Sequence, residues 1–119
     1  MKTFDNITPE MITEWKNKGK KKLTEISIPI NENDLTGDGP VAKFVICQPD
    51  RNVLDACAKY SQEKNFKKAN ALMITNCMLG GDEKYVNSES EDYDVDIELA
   101  LLDEIGKLIE SKKTTVKKL

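Results

Sequence analysis

The stretch from Phe66 to Asp82 constrains this chain most, because its apolar residues recur at helical spacing over three turns. Phe66, Ala69, Met73 and Cys77, with Ile74 and Met78 one step over, fall three, four or seven apart and so share one helix face. Leu72 and Leu79 widen that face, which predicts a central core helix wrapped by its neighbours. Gly80-Gly81 is expected to end it, since glycine accepts the left-handed backbone that closes a helix C-terminus.

At 119 residues, the chain fits one domain that buries roughly two-thirds of its unfolded surface. A formal charge of −3 argues against general nucleic-acid binding, which needs a net basic surface. The charge is unevenly spread, with basic runs at Lys16–Lys22 and Lys112–Lys118 and an acidic block from Asp82 to Glu104. Such runs are solvated faces or electrostatic docking surfaces. The chain has no histidine, which removes His-based triads and the common zinc patterns. Cys47, Cys57 and Cys77 are widely spaced within apolar patterns, as expected for buried, reduced thiols in a reducing compartment. No apolar run reaches membrane-spanning length and the N-terminus lacks an apolar leader core, so a cytoplasmic protein is expected.

Thr8-Pro9-Glu10 reads as a helix opening, with Ile12 and Trp15 on its buried stripe, Ile7 stapling back on Met11, and Gly19 as the stop. Leu23–Ile30 alternates apolar and polar residues as a half-buried strand does, and Pro29 points to an edge or a strand end. Asn31–Pro40 is loop, and Val41–Cys47 is the second strand of a hairpin. Gln48–Arg51 turns into a helix whose face is Val53, Leu54, Cys57, Ala58 and Ser61, broken at Lys64-Asn65. Asp82–Asp94 is a polar surface loop, in which Ser88-x-x-Glu91 or Asp92 caps the following helix. From Val95 to Glu110 apolar residues cover more than half of a helix, so that it is deeply buried or self-associates, with Gly106 allowing close approach of a neighbour. Ser111–Leu119 continues that helix or frays.

The expected architecture is α+β: an N-terminal helix and a β-hairpin packed against a three-helix C-terminal bundle, as one domain over 1–119. Residues 1–40 carry the helix, first strand and long loop, and residues 41–119 the second strand and three-helix core.

Candidate chemistry is sparse. Asp92-Tyr-Asp94-Val-Asp96 opens like a calcium loop, but the sixth and twelfth positions hold Ile97 and Asp103 instead of Gly and Glu. Gly80-Gly81-Asp82 follows a helix and lacks the Lys-Ser or Lys-Thr of a phosphate loop. No pair among the 21 acids is singled out for glycoside chemistry, and at 6% the aromatics are few for a sugar cleft. No catalytic, cofactor or metal residue is assigned. Arg51, the sole arginine, either binds an acidic partner or pairs with a nearby acid such as Asp50 or Asp55.

Phe44-Val-Ile-Cys-Gln-Pro-Asp-Arg51, Lys68-Ala-Asn70 and Asn76-Cys-Met-Leu-Gly-Gly-Asp-Glu83, followed by Leu102, Ile105, Leu108, Ile109 and Lys117-Lys118-Leu119, resemble small phage and prophage tail assembly chaperones over about residues 41–119. The resemblance implies a non-enzymatic factor in the bacterial cytoplasm that binds tape-measure or tail-tube protein and tends to self-associate. The chain departs from that pattern by its longer front part, with the extra helix Thr8–Gly19 and a long hairpin loop. An accessory virion protein of the same origin, or a small ligand- or metal-binding regulator, are the alternatives. Residues expected to meet a protein partner are Arg51, Met73, Met78, Leu102, Ile105 and Ile109; for the apolar ones the alternative is a place in the core.

Overall fold

A computed structural model describes residues 2–31, 39–109 and 115–119. Thr8 caps helix α1 (Pro9–Asn17), its side chain accepting from the Met11 N–H, with proline in the first turn. Strands β1 (Thr24–Pro29) and β2 (Val41–Ile46) pair antiparallel, from Thr24 opposite Ile46 to Pro29 opposite Val41. Most of the expected loop between them, at 32–38, lies outside the described residues. Asp50 caps α2 (Arg51–Gln62), and Asn65 caps α3 (Phe66–Cys77) across a three-residue turn in which Lys64 takes a positive φ of 59°. Two helices joined so tightly pack on each other.

The chain then departs from expectation. The helix stops at Cys77, four residues before the glycine pair completes, and Met78–Gly81 forms a third strand, β3, antiparallel to β2. Gly81 adopts φ 143°, and a Cβ there would lie 2.6 Å from both the Lys43 carbonyl oxygen and Phe44 Cδ1. The glycine pair therefore serves close strand pairing instead of a helix cap. The sheet order is β1-β2-β3, so the expected hairpin is two-thirds of a sheet.

Nor is the C-terminal half a three-helix bundle. The last helix, α4 (Val95–Lys107), packs on β1 and α3, while α2 and α3 form their own pair. The architecture among the described residues remains α+β, with four α-helices around a three-stranded antiparallel sheet. Asp94 caps α4, its carboxylate accepting from the N–H groups of Asp96 and Ile97, so neither Ser88 nor Asp92 does. Gly106 has nothing within 4 Å of its would-be Cβ and makes no close approach. Glu110 and most of the following segment fall in 110–114, outside the described residues, and Thr115–Leu119 is neither helix nor strand.

The core lies between the sheet and α4. Ala42, Phe44 and Ile46, alternating along β2, are all 0% exposed, and Ile97, Leu101 and Ile105, one turn apart on α4, meet them. The expected core helix α3 contributes less: only Ala69 and Cys77 are buried, and Phe66 is 59% exposed. A shorter, more central strand has taken the place assigned to it. Among the described residues, no helix is long and apolar enough to cross a membrane.

Candidate functional site

The opposite face of the sheet is covered by the N-terminal segment. A 3₁₀ turn at Phe4–Asn6 sits against β2 and β3, and Lys43 Nζ lies 5.5 Å from the centre of the Phe4 ring. Ile7 and Trp15 pack over Gly80: a Cβ there would sit 2.9 Å from Ile7 Cδ1 and 3.4 Å from the Trp15 ring. Asp82 fastens this cover, accepting from the Phe4 N–H through Oδ1 and the Lys43 N–H through Oδ2, each at 2.9 Å. One carboxylate thus stitches the N-terminal segment to the central strand. Beside it the Glu83 N–H donates to the Lys2 carbonyl at 3.2 Å.

Along β3 runs an open groove of about 570 Å³. Met78–Gly81 lies along it, Ala71, Ile74 and Thr75 of α3 form one side, and Val86 and Tyr93 line it from the segment ahead of α4. Its charges come in both signs, Lys2 and Lys67 with Glu83 and Glu98. Burial pushes the Tyr93 phenol above its usual pKa, and the Glu98 carboxylate adds to this through its charge and a hydrogen bond. The lining mixes apolar side chains with charges of both signs, which suits a segment of polypeptide better than a small charged metabolite.

A second concavity, of about 340 Å³, is basic. Lys18, Lys20, Lys21 and Arg51 surround it, with Gln48, Asn76 and Cys77 among its lining. Arg51 Nε lies 3.1 Å from Asp55 Oδ1 one helical turn on, its side chain 85% exposed, so it forms the ion pair that was the alternative to partner binding. In water such a pair stabilises by well under about 1 kcal/mol and leaves the guanidinium available.

The other expected partner residues are scattered. Met78 lines the groove, while Met73 packs half-buried against the core with its Sδ 3.7 Å from Cys77 Sγ. Ile105 is wholly buried and has no surface to offer in this conformation. Leu102 is half-buried and Ile109 is 43% exposed. Sequence reasoning did not single out Val95 and Leu99, which are 51% and 53% exposed. Their spacing aligns them with Leu102 and Gly106 in one stripe on the side of α4 away from Ile97, Leu101 and Ile105. Separating the two faces from sequence would have needed the 97-101-105 spacing to be set against the 95-99-102 spacing. Asp82 was missed too; the signal was an acid directly after two glycines with a strand before it. Among the described residues, no group of three or more Cys, Asp or Glu side chains is placed to hold a metal ion.

All three cysteines are free thiols, Cys47 and Cys77 buried and Cys57 half-buried. The Cys47 N–H donates to the Cys77 carbonyl at 2.9 Å; the Cys47 thiol lies 3.8 Å from the Asn76 carbonyl oxygen and the Cys77 thiol 3.7 Å from Met73 Sδ. The neighbouring Cys77 thiol holds Cys47 down to about 7, with Lys20 nearby helping, while the Cys47 thiol and burial push Cys77 well above the usual thiol range. Burial alone raises Cys57.

Comparison of the chain with protein-family models, with curated proteins and with solved structures finds no match to any of them.

Proposed function

We propose that this chain is a non-enzymatic protein–protein interaction module, acting as a tail assembly chaperone of phage or prophage origin in the bacterial cytoplasm. Its partner is tape-measure or tail-tube protein, held in a binding-competent state until assembly. The observation that carries the binding part is the open groove along β3, lined by apolar Ile74, Met78 and Leu79 together with charges of both signs. A holdase needs apolar surface that remains accessible in the folded state, and this groove together with Val95 and Leu99 supplies it. The tail-assembly part rests on the resemblance of residues 41–119.

Co-expression with the tape-measure protein encoded in the same gene cluster tests it. The soluble fraction of that protein should rise several-fold and co-purify with this chain. Equal precipitation with and without the chain would remove the chaperone reading, and recovery of the chain in purified particles would replace it with an accessory virion component.

A further inference from the structure

We infer that Cys47 and Cys77 form an oxidisable dithiol, a site at which a two-electron oxidant closes an intramolecular disulfide between the end of β2 and the corner joining α3 to β3. Both residues are 1% exposed and neither is committed to another covalent partner. The backbone hydrogen bond from the Cys47 N–H to the Cys77 carbonyl fixes their separation. That bond makes the two residues direct backbone neighbours, the arrangement in which the roughly 4.4–6.8 Å Cα span of a disulfide can be met. Each thiol now makes only a long, weak hydrogen bond, Cys47 Sγ to the Asn76 carbonyl at 3.8 Å and Cys77 Sγ to Met73 Sδ at 3.7 Å, which a bridge would replace. Cys77 lines the basic concavity, so a small oxidant has a path to the pair. Lys20, in the same lining, favours the thiolate that must form first. Cys57 is placed differently: its Sγ donates to the Ala69 carbonyl at 3.4 Å between α2 and α3, and no thiol neighbours it by hydrogen bond.

With hydrogen peroxide as oxidant the step balances. A thiolate of the pair attacks the peroxide, the O–O bond breaks, and a sulfenic acid forms as one water leaves with a proton from the solvent. The second thiol attacks that sulfur, the S–S bond forms, and the sulfenic oxygen leaves as a second water. Two thiols have lost two electrons and the peroxide has become two waters. The product ties the α2–α3 pair into a closed loop from 47 to 77 and fixes the inner end of the basic concavity.

The experiment treats the full chain with a modest excess of hydrogen peroxide, blocks remaining thiols with N-ethylmaleimide under denaturing conditions, and reads intact mass and proteolytic peptides. The expected result is a monomer lighter by two hydrogens, carrying one maleimide on Cys57, with the peptides of Cys47 and Cys77 linked. Thermal unfolding of that product should shift upward by several degrees, and a thiol reductant should reverse the shift. A denatured control should spread its bridges over all three pairings, and Cys77→Ser should form no intramolecular bridge while its Cys47 becomes reactive to dimedone. Three alkylated thiols after treatment, a bridge to Cys57, cross-linked dimers, or the same mixture from native and denatured protein would each overturn the inference.

Discussion

The two faces of the sheet are covered in opposite ways. On the inner face Ala42, Phe44 and Ile46 are sealed by a thirteen-residue helix, and every one of them is 0% exposed. On the outer face only the β2–β3 end is covered, by a 3₁₀ turn and two side chains, Ile7 and Trp15; Val45 is 6% exposed while Glu25, Ser27 and Lys43 face solvent. The inner face is held by apolar area, which adds up without direction. The outer cover is held by a few directed bonds to Asp82 and Glu83, with Asp82 also bonded to the central strand. Area makes a face hard to open, whereas a few directed bonds make it easy to release as a unit.

Substitutions should separate the two. Phe44→Ala removes the largest fully buried side chain and should cost about 3–5 kcal/mol, read as a fall in the urea midpoint with an unchanged slope. Gly81→Ala should follow at about 2–4 kcal/mol, because φ 143° disfavours any Cβ and the new atom meets Lys43 backbone and Phe44. Asp82→Ala should cost about 1–3 kcal/mol by leaving two N–H groups without their acceptor. Its signature is faster amide exchange at Phe4 and Lys43 with the α4 amides unchanged; uniform loss of protection would mean that the outer cover is no separate unit.

Leu99→Asp, on the exposed side of α4, should change stability by no more than about 0.5 kcal/mol and lower any self-association seen by sedimentation. Unfolding by this change would place Leu99 in the core instead. The smallest effect should be on the pH dependence. Cys47 is held at about 7, below the usual 9.0, so between those values the unfolded chain binds more protons and stability rises with pH. Above 9.0 the sign reverses, because Cys57 and Cys77 keep protons that the unfolded chain has lost. Cys77→Ala removes the thiol that supports the Cys47 thiolate, and urea midpoints should then show no rise between pH 7 and pH 9.

Much of the local structure was legible. Thr8-Pro9, the alternation of Leu23–Ile30 and Val41–Cys47, and the Lys64-Asn65 break each carry a short-range cause that acts within a turn or a strand, and each stands where it was expected. Apart from the α4 cap, which is Asp94 instead of Ser88 or Asp92, the failures are of longer range. Met78-Leu-Gly-Gly has neither the length nor the β-branched residues of a strand, and becomes one only because β2 offers Phe44, Val45 and Ile46 as partners. Helix periodicity identified a face of α3 but did not separate the two apolar faces of α4, and the apolar pattern put the wrong helix at the centre of the core. The groove was invisible for the same reason: its lining comes from α3, β3 and the segment before α4, which only the third strand brings together. Of the residues expected at a partner surface, Met78 lies in that groove and Ile105 is sealed away from it.

Lys22 enters β1 through a left-handed backbone, φ 55°, and sends its Nζ 2.9 Å to the Leu108 carbonyl at the end of α4. A cation there neutralises the negative end of the helix and occupies one of its unpaired carbonyls. Two points 86 residues apart are therefore buckled by a single ammonium group. Acylation of that amine would unfasten the start of the first strand and the final helical turn together, changing how Ile109 is presented without touching the sealed interior.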